Sequence, residues 1–301
     1  MSEFVTIATF NILGSKMDKF LGIHSEFTNF ENRKDLVLRV INDLIEKRSI
    51  IHLQEFDTEW ARILIPLFTK NKYNCLTSYN STIKGRSLLG IATAYPLEYE
   101  LVDVETVIIG HLINHQDGEN YPPPASEKSP HLTPYQIASN RENRCIRIVL
   151  NINNKLVTFY NYHAPCAFYW RTIMTLHMDA FMSYIKNTAN EYYVVSGDLN
   201  ELKDSIVYNF LVKGIIPTDE LAIPSSTWIP SDRIKLVETS LGKMTTWTLN
   251  SRNEPFQGAL DHHFISDNFK SWDSYTPDIL EPIPNNVHGS DHVQVVLTLE
   301  F

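Results

Sequence analysis

The chain has 301 residues, 43% of them hydrophobic and 20% charged, with a formal net charge of −9. That balance excludes disordered, collagen-like and small disulfide-framed proteins and allows a large buried core. The acid is unevenly placed, −2 over residues 1–150 and −7 over 151–301, which argues against a partner such as long duplex DNA, whose phosphates demand a basic surface. Three scattered cysteines, Cys75, Cys145 and Cys166, without a CxxC pair oppose both a disulfide framework and a cysteine zinc site. The first residues do not read as a secretory leader, and no apolar run is long enough to span a bilayer. The expectation is an intracellular, cytoplasmic protein.

Taken in chain order, Val5 to Leu13 is an apolar, β-branched stretch running into Gly14, which predicts a buried strand. From Asn32 to Lys47 the apolar positions Leu36, Val37, Val40, Ile41, Leu44 and Ile45 recur at helical spacing, with Asn32 as the expected cap. A short strand, Ile50 to Leu53, delivers Gln54 and Glu55 at its end. A helix over Thr58 to Thr69 and a strand over Leu89 to Tyr95 follow. Residues 110–140 break the rhythm with Pro122, Pro123, Pro124, Pro130 and Pro134, and read as a lid or an insertion. Strands resume at Cys145 to Leu150 and Leu156 to Tyr162, then a helix over Trp170 to Asn187 and a strand over Tyr192 to Ser196. After Gly197-Asp198-Leu199-Asn200 comes a short helix, Ser205 to Lys213. Three strands close the chain: Met244 to Leu249, Ala259 to Ser266 and Val293 to Phe301. Strand and helix alternate in both halves with no linker between them, so residues 1–301 read as one α/β domain, two sheets packed as a sandwich.

The polar residues that follow these short strands carry the chemistry. Asn11, Glu55, Asp198 with Asn200, and Asp291 with His292 all stand at strand ends, where ligand sites gather in layered α/β folds. Singly, each reads as a turn residue. Together they form a set: Asp198 can orient water, Asn200 can donate to a phosphate oxygen, and Glu55 and Asp291 offer hard oxygen to a metal ion. His292 supplies an imidazole, and Asp261, charged within a strand-like run, needs a partner such as His292 if buried.

The motifs Thr9-Phe10-Asn11-Ile12-Leu13, Leu53-Gln54-Glu55, Asn161-Tyr162-His163, Ser196-Gly197-Asp198-Leu199-Asn200, Leu260-Asp261-His262-His263-Phe264 and Gly289-Ser290-Asp291-His292 resemble, in order and spacing, those of the endonuclease/exonuclease/phosphatase superfamily. Asn29-Phe30-Glu31-Asn32-Arg33-Lys34 and the residues from Asp204 to Leu211 are similar to its branch of deadenylases, nocturnin-like phosphatases and 2',5'-phosphodiesterases. The resemblance implies a four-layer α/β sandwich of two mixed β-sheets flanked by helices, as in deoxyribonuclease I. It also implies Mg²⁺, with Mn²⁺ as a substitute, held by Glu55 with Asn11 beside it and Asp291 as a further ligand. His163 then resembles the phosphate-contacting histidine, Asp198 the residue that orients water, Asn200 the phosphate-holding amide, His292 the transition-state stabiliser and Asp261 its buried partner.

Two positions depart from the superfamily pattern, Leu199 and His262, both usually aromatic. Stacking residues must then come from elsewhere, and Phe168 and Trp247 are the candidates, with a sheet-core role as the competing reading for Trp247. Arg144, beside Arg141 and Arg147, is the candidate for holding an anionic substrate, against a solvated strand-edge role. His262 and His263 point to opposite faces of one strand, so at most one can reach the site. The expected function is Mg²⁺-dependent phosphodiester hydrolysis at the 3' end of single-stranded RNA, or on a nucleotide-sized phosphoester. The alternatives are a phosphatase or phosphodiesterase acting on a nucleotide cofactor, 2',5'-oligoadenylate or a phosphoinositide, and a catalytically inactive binding protein.

Overall fold

The computed structural model describes residues 4–17, 26–80, 89–113, 132–168, 170–213, 237–238, 242–249 and 254–301. Its outer helices are placed by the side they bury. Phe30–Glu46 (α1) buries Arg33, Val37, Ile41 and Leu44, a spacing that returns to one face. Its cap is Asn29, whose side chain accepts from the Glu31 N–H. Asn32, expected in that role, lies in the first turn and its amide reaches back to the Glu26 carbonyl. Thr58–Lys70 (α2) starts at Asp57, which accepts from the N–H groups of Glu59 and Trp60, and buries Trp60, Leu64 and Phe68.

Both helices cover one six-stranded sheet, built from β1 (Phe4–Asn11), β2 (Ile50–Gln54), β3 (Tyr73–Tyr79), β4 (Gly90–Pro96), β13 (Ser271–Tyr275) and β14 (Val295–Glu300) in the order β13-β14-β1-β2-β4-β3. The other sheet runs β5-β6-β7-β8-β12-β9, from β5 (Glu100–Ile108), β6 (Arg144–Ile152), β7 (Lys155–Tyr162), β8 (Tyr192–Asp198), β12 (Asp261–Ile265) and β9 (Val237–Glu238). β1 is parallel to β2 and antiparallel to β14, and β7 is parallel to β8, so both sheets are mixed. Three helices, α3 (Pro134–Ser139), α4 (Arg171–Thr188) and α5 (Ile206–Lys213), cover the second sheet on Tyr160, Tyr162, Val195 and Phe264. A short hairpin, β10 (Thr246–Leu249) with β11 (Pro255–Gly258), stands apart from both sheets.

Alternate residues of each sheet face inward, where Val5, Ile7, Ile50, Ile148, Phe159, Val194, Leu297 and Leu299 form a common core. Each such side chain contributes roughly 2 kcal/mol. The result is four layers, helix, sheet, sheet, helix, as the sequence led us to expect. Toward the C-terminal ends of β1, β2, β7 and β8 the filling turns polar. Gln54 Nε2 donates to Thr9 Oγ1 at 3.0 Å and to Asn161 Oδ1 at 2.9 Å, and Ser196 Oγ lies 2.8 Å from His263 Nδ1. Hydrogen bonds thus replace apolar contact just beneath the strand ends that carry the candidate residues, and they fix the two sheets in register.

Five strands escaped the sequence reading: β3, β5, β9, β11 and β13. Each is an edge or hairpin strand; β5 and β13 are mostly exposed along their length, so neither shows the alternation that marks a half-buried strand. Within residues 110–140, Ile109–Leu112 is a 3₁₀ turn and Pro134 opens α3, with Thr133 and Gln136 forming a capping box. Residues 114–131, which hold the other four prolines, lie outside the described residues, and the lid reading falls there. All three cysteines are free. Among the described residues no helix is long and apolar enough to cross a membrane.

Candidate active site

The ends of β1 and β8 come from different sheets, and one amide joins them. Asn11 Nδ2 donates to Glu55 Oε1 at 3.1 Å and to Asp198 Oδ2 at 3.0 Å. Asn11 is held by the Leu13 N–H on its own oxygen, 3.1 Å away. Expected on the metal or the phosphate, Asn11 here turns its nitrogen to the two carboxylates and links them. Glu55 adopts a left-handed backbone, φ 56°, uncommon for a side chain of this size and frequent at functional sites. Its second oxygen accepts from the Gly14 N–H at 3.0 Å.

β8 delivers Asp198 through Gly197, where a Cβ would lie 1.8 Å from the Tyr162 carbonyl oxygen and φ is 152°. Only glycine lets β8 pass β7 so closely. Asp198 Oδ1 accepts from the Asn200 N–H at 2.9 Å. Its Oδ2 lies 3.6 Å from His163 Nε2 and 3.9 Å from His292 Nε2. Asn200 ties its side chain to the Ala164 carbonyl at 3.0 Å, which leaves one amide hydrogen for a ligand.

Asp261 stands directly opposite Asp198 in the β8–β12 pairing, and its Oδ2 is 2.7 Å from His292 Nδ1. Burial opposes charge on His292, but Asp261 and Asp198 outweigh it and hold the imidazole well above its usual pKa. A cationic imidazole thus faces the gap beside Asp198. Burial pushes the Asp291 carboxyl up to about 6, with His292 opposing and the charge of Glu55 adding to the rise.

The charge of Glu55 thus adds to the cost of ionising Asp291, and each Glu55 oxygen accepts one hydrogen bond, leaving lone pairs for a cation. Two close carboxylates with spare oxygen lone pairs fit a hard divalent ion such as Mg²⁺. Asp198, Asp261 and His292 also bring potential ligand atoms within 4.8 Å of one another, but the Asp261–His292 hydrogen bond uses one atom of each.

Arg144 opens β6, one residue before Cys145, which pairs with Tyr162; it therefore lies beside His163, and its Nε is buried without a hydrogen-bond partner. Phe168 is exposed, its ring 6.0 Å from that of Phe256. Trp247 packs against the small cluster of Ile279, Ile283 and Val293. Neither histidine after Asp261 reaches Asp198: His262 Nε2 bonds the Glu201 carbonyl beneath α5, and His263 bonds Ser196 and the Val295 carbonyl between the sheets.

The sequence reading missed the supports. Arg33 is fully buried and donates to the carbonyls of Ile12, Leu13, Gly14 and Gly289, clamping the β1–α1 loop to the loop of Asp291 and His292. Its signal was present: Arg33 is in helical phase with Val37, Ile41 and Leu44. Ser290 Oγ donates to the Asn11 carbonyl at 2.7 Å, and Asp57 accepts from both the N–H and the hydroxyl of Ser15.

The endonuclease/exonuclease/phosphatase family model matches residues 8–292. No curated protein matches the chain in sequence. Among solved structures, the chain is similar to ANGEL2, described as a 2',3'-cyclic phosphatase in complex with adenosine-2',3'-vanadate, at 14% identity over 98% of this chain and 95% of that one, TM-score 0.73. The human nocturnin catalytic domain with bound sulfate gives 16% identity over 99% and 93%, TM-score 0.59. Humanized D. rerio TDP2 gives 12% identity over the full length of both chains, TM-score 0.62. The match across almost the whole sequence, on a two-sheet sandwich with these strand-end residues, makes this chain a member of the endonuclease/exonuclease/phosphatase family, whose enzymes hydrolyse phosphoester bonds.

Proposed function

We propose that the protein is a Mg²⁺-dependent phosphodiesterase acting at the 3' end of single-stranded RNA or on a nucleotide-sized phosphoester. The observation that carries this reading is the single network in which Asn11 joins Glu55 to Asp198 while His163 and His292 flank the same Asp198 oxygen. Glu55 and Asp291 would hold the ion, which when bound supplies positive charge against the phosphate oxygens. Asp198, fixed by Asn11 and the Asn200 N–H, orients a water molecule and accepts its proton. His163 and the remaining Asn200 hydrogen donate to the scissile phosphate. His292, kept cationic by Asp261, offsets the charge that grows on that phosphate as the bond to the leaving oxygen breaks. Arg144 lies beside His163 for the same anion, and Phe168 offers an exposed ring to a base.

The net charge of −9 favours a small or end-threaded substrate over duplex DNA. Fold similarity to ANGEL2, with adenosine-2',3'-vanadate in its site, supports a second substrate within the same class, an RNA end closed as a 2',3'-cyclic phosphate. The test is a panel assayed with Mg²⁺ and with EDTA: oligo(A), mixed RNA, RNA ending in a 2',3'-cyclic phosphate, 2',5'-oligoadenylate, NADPH, a phosphoinositide and duplex DNA. Turnover of a ribonucleotide end in Mg²⁺ alone is expected. Preference for the phosphoinositide or for duplex DNA would overturn the substrate assignment.

A further inference from the structure

Four arginines among the described residues have an Nε buried without a hydrogen-bond partner, Arg33, Arg141, Arg144 and Arg147; Arg144 stands beside His163, and two of the others engage the rest of the guanidinium. Arg33 donates to four carbonyls, and Arg147 is paired with Asp103 and Glu105. Arg141, partly buried just after α3, has an Nε shielded from solvent without a hydrogen-bond partner, and its side chain makes no ion pair with any described residue. Burial pulls its pKa down, so the unpaired charge stands at a cost to stability.

The surroundings fix the backbone that carries that charge. Its backbone N–H bonds the Ala138 carbonyl, and Gly110 admits its carbonyl, since a Cβ there would lie 2.5 Å away. Asn143, two residues on, donates to the carbonyl of His163 at 2.9 Å. Helix α3 is docked in turn by the buried His177, which bonds Ala138 O at 2.9 Å and Tyr162 Oη at 3.0 Å. Cys166, exposed three residues past His163, lies within electrostatic reach of Asp198, Glu55 and Arg141. A guanidinium without an ion-pair partner among the described residues, carried on a firmly held backbone, thus stands near Cys166 and the carboxylates of the site.

We propose that Arg141 is a specificity-determining residue that receives a second anionic group of the substrate, a phosphate other than the one cleaved. This rests on the reading of the site as a phosphoesterase and narrows its substrates to those carrying two phosphates, such as a nucleoside bisphosphate or the last two linkages of an RNA strand. A guanidinium forms paired hydrogen bonds with phosphate, and a substrate with one phosphate leaves it unused.

Binding is measured by calorimetry in EDTA, so that no turnover enters, with adenosine 5'-monophosphate and adenosine 3',5'-bisphosphate as probes. Wild type is expected to prefer the bisphosphate by about 10-fold or more, the scale of a charge-assisted contact. Arg141→Met is expected to abolish that preference while binding the monophosphate as before, and Arg141→Lys to restore part of it. Cys166 supplies an independent readout: the bisphosphate is expected to slow its alkylation by iodoacetamide, followed by peptide mass spectrometry, in wild type but not in Arg141→Met. Equal affinity of wild type for the two nucleotides, absence of binding included, would overturn the proposal. So would equal weakening of both in Arg141→Met. Failure of Mg²⁺-dependent hydrolysis with the binding difference intact would strike the proposed activity instead.

Discussion

At the scale of single residues, Asp261 and His292 act as a unit. Asp261 is fully buried and meets the site through the 2.7 Å contact to His292 Nδ1, so in the proposed mechanism it is a positioning residue, and its removal takes away the larger of the two carboxylate charges, Asp261 and Asp198, that hold His292 protonated. Asp261→Asn and His292→Gln are each expected to lower kcat by roughly 10²-fold or more, and the double variant to be little worse than either single one, since residues that work through one another are not additive. Additive losses in that cycle would mean that the two act separately. Asp198 has no such substitute, because both of its oxygens are engaged by Asn11 and the Asn200 N–H. Asp198→Asn is expected to keep the fold and lose about 10³-fold or more of turnover.

At the scale of elements, the catalytic loops depend on supports outside the site. Arg33→Met removes four donors from buried carbonyls and is expected to destabilise by about 3 kcal/mol, read by denaturant unfolding. It is also expected to lower kcat, since the clamp at Gly289 sets the loop of His292. Unchanged stability would show that solvent replaces those donors.

His177, which docks α3 on α4, has its pKa lowered by burial to about 4. Its proton binds the unfolded chain at about 6.5 and the folded chain at about 4, so the stability it confers is present above pH 6.5 and lost as pH falls toward 4. The advantage of wild type over His177→Gln is therefore expected to shrink on acidification across that window, by up to about 1.4 kcal/mol per pH unit. A difference that is constant with pH would contradict the neutral, buried histidine.

Elements that carry chemistry were also the most legible ones. β1, β2 and β8 are central strands, so their apolar runs end abruptly at Asn11, Glu55 and Asp198. β5 and β13, exposed edges, have no such contrast, and α3 was hidden by the prolines before it although Pro134 is its natural first residue. Of the neighbours across the sheets, Asp261 and His292 were legible, since a charge in a strand-like run needs a partner, and the others were not. The contact of Asn11 with Asp198 spans 187 residues of sequence, and nothing local to Arg141 says that its charge lacks an ion-pair partner among the described residues.

For the whole molecule, the acidity that first argued against duplex DNA has a structural location. Glu55, Asp198, Asp261 and Asp291 converge from four strand ends, and burial, with the charge of Glu55 adding to it, raises the Asp291 carboxyl. A bound divalent ion offsets it, so saturating Mg²⁺ is expected to raise the melting temperature of wild type by several degrees. Glu55→Gln is expected to lose most of that gain, since a ligand stabilises only the state that binds it. An equal rise in both would place the ion elsewhere.

The most direct measurement is the initial rate of hydrolysis of a 5'-labelled, single-stranded oligo(A), for wild type and Asp198→Asn, in Mg²⁺ and in EDTA. Shortened product from wild type in Mg²⁺, with none in EDTA and about 10³-fold less from Asp198→Asn, is the expected result. Undiminished product in EDTA, or from Asp198→Asn, would contradict a metal-dependent site built on Glu55, Asp198 and His292.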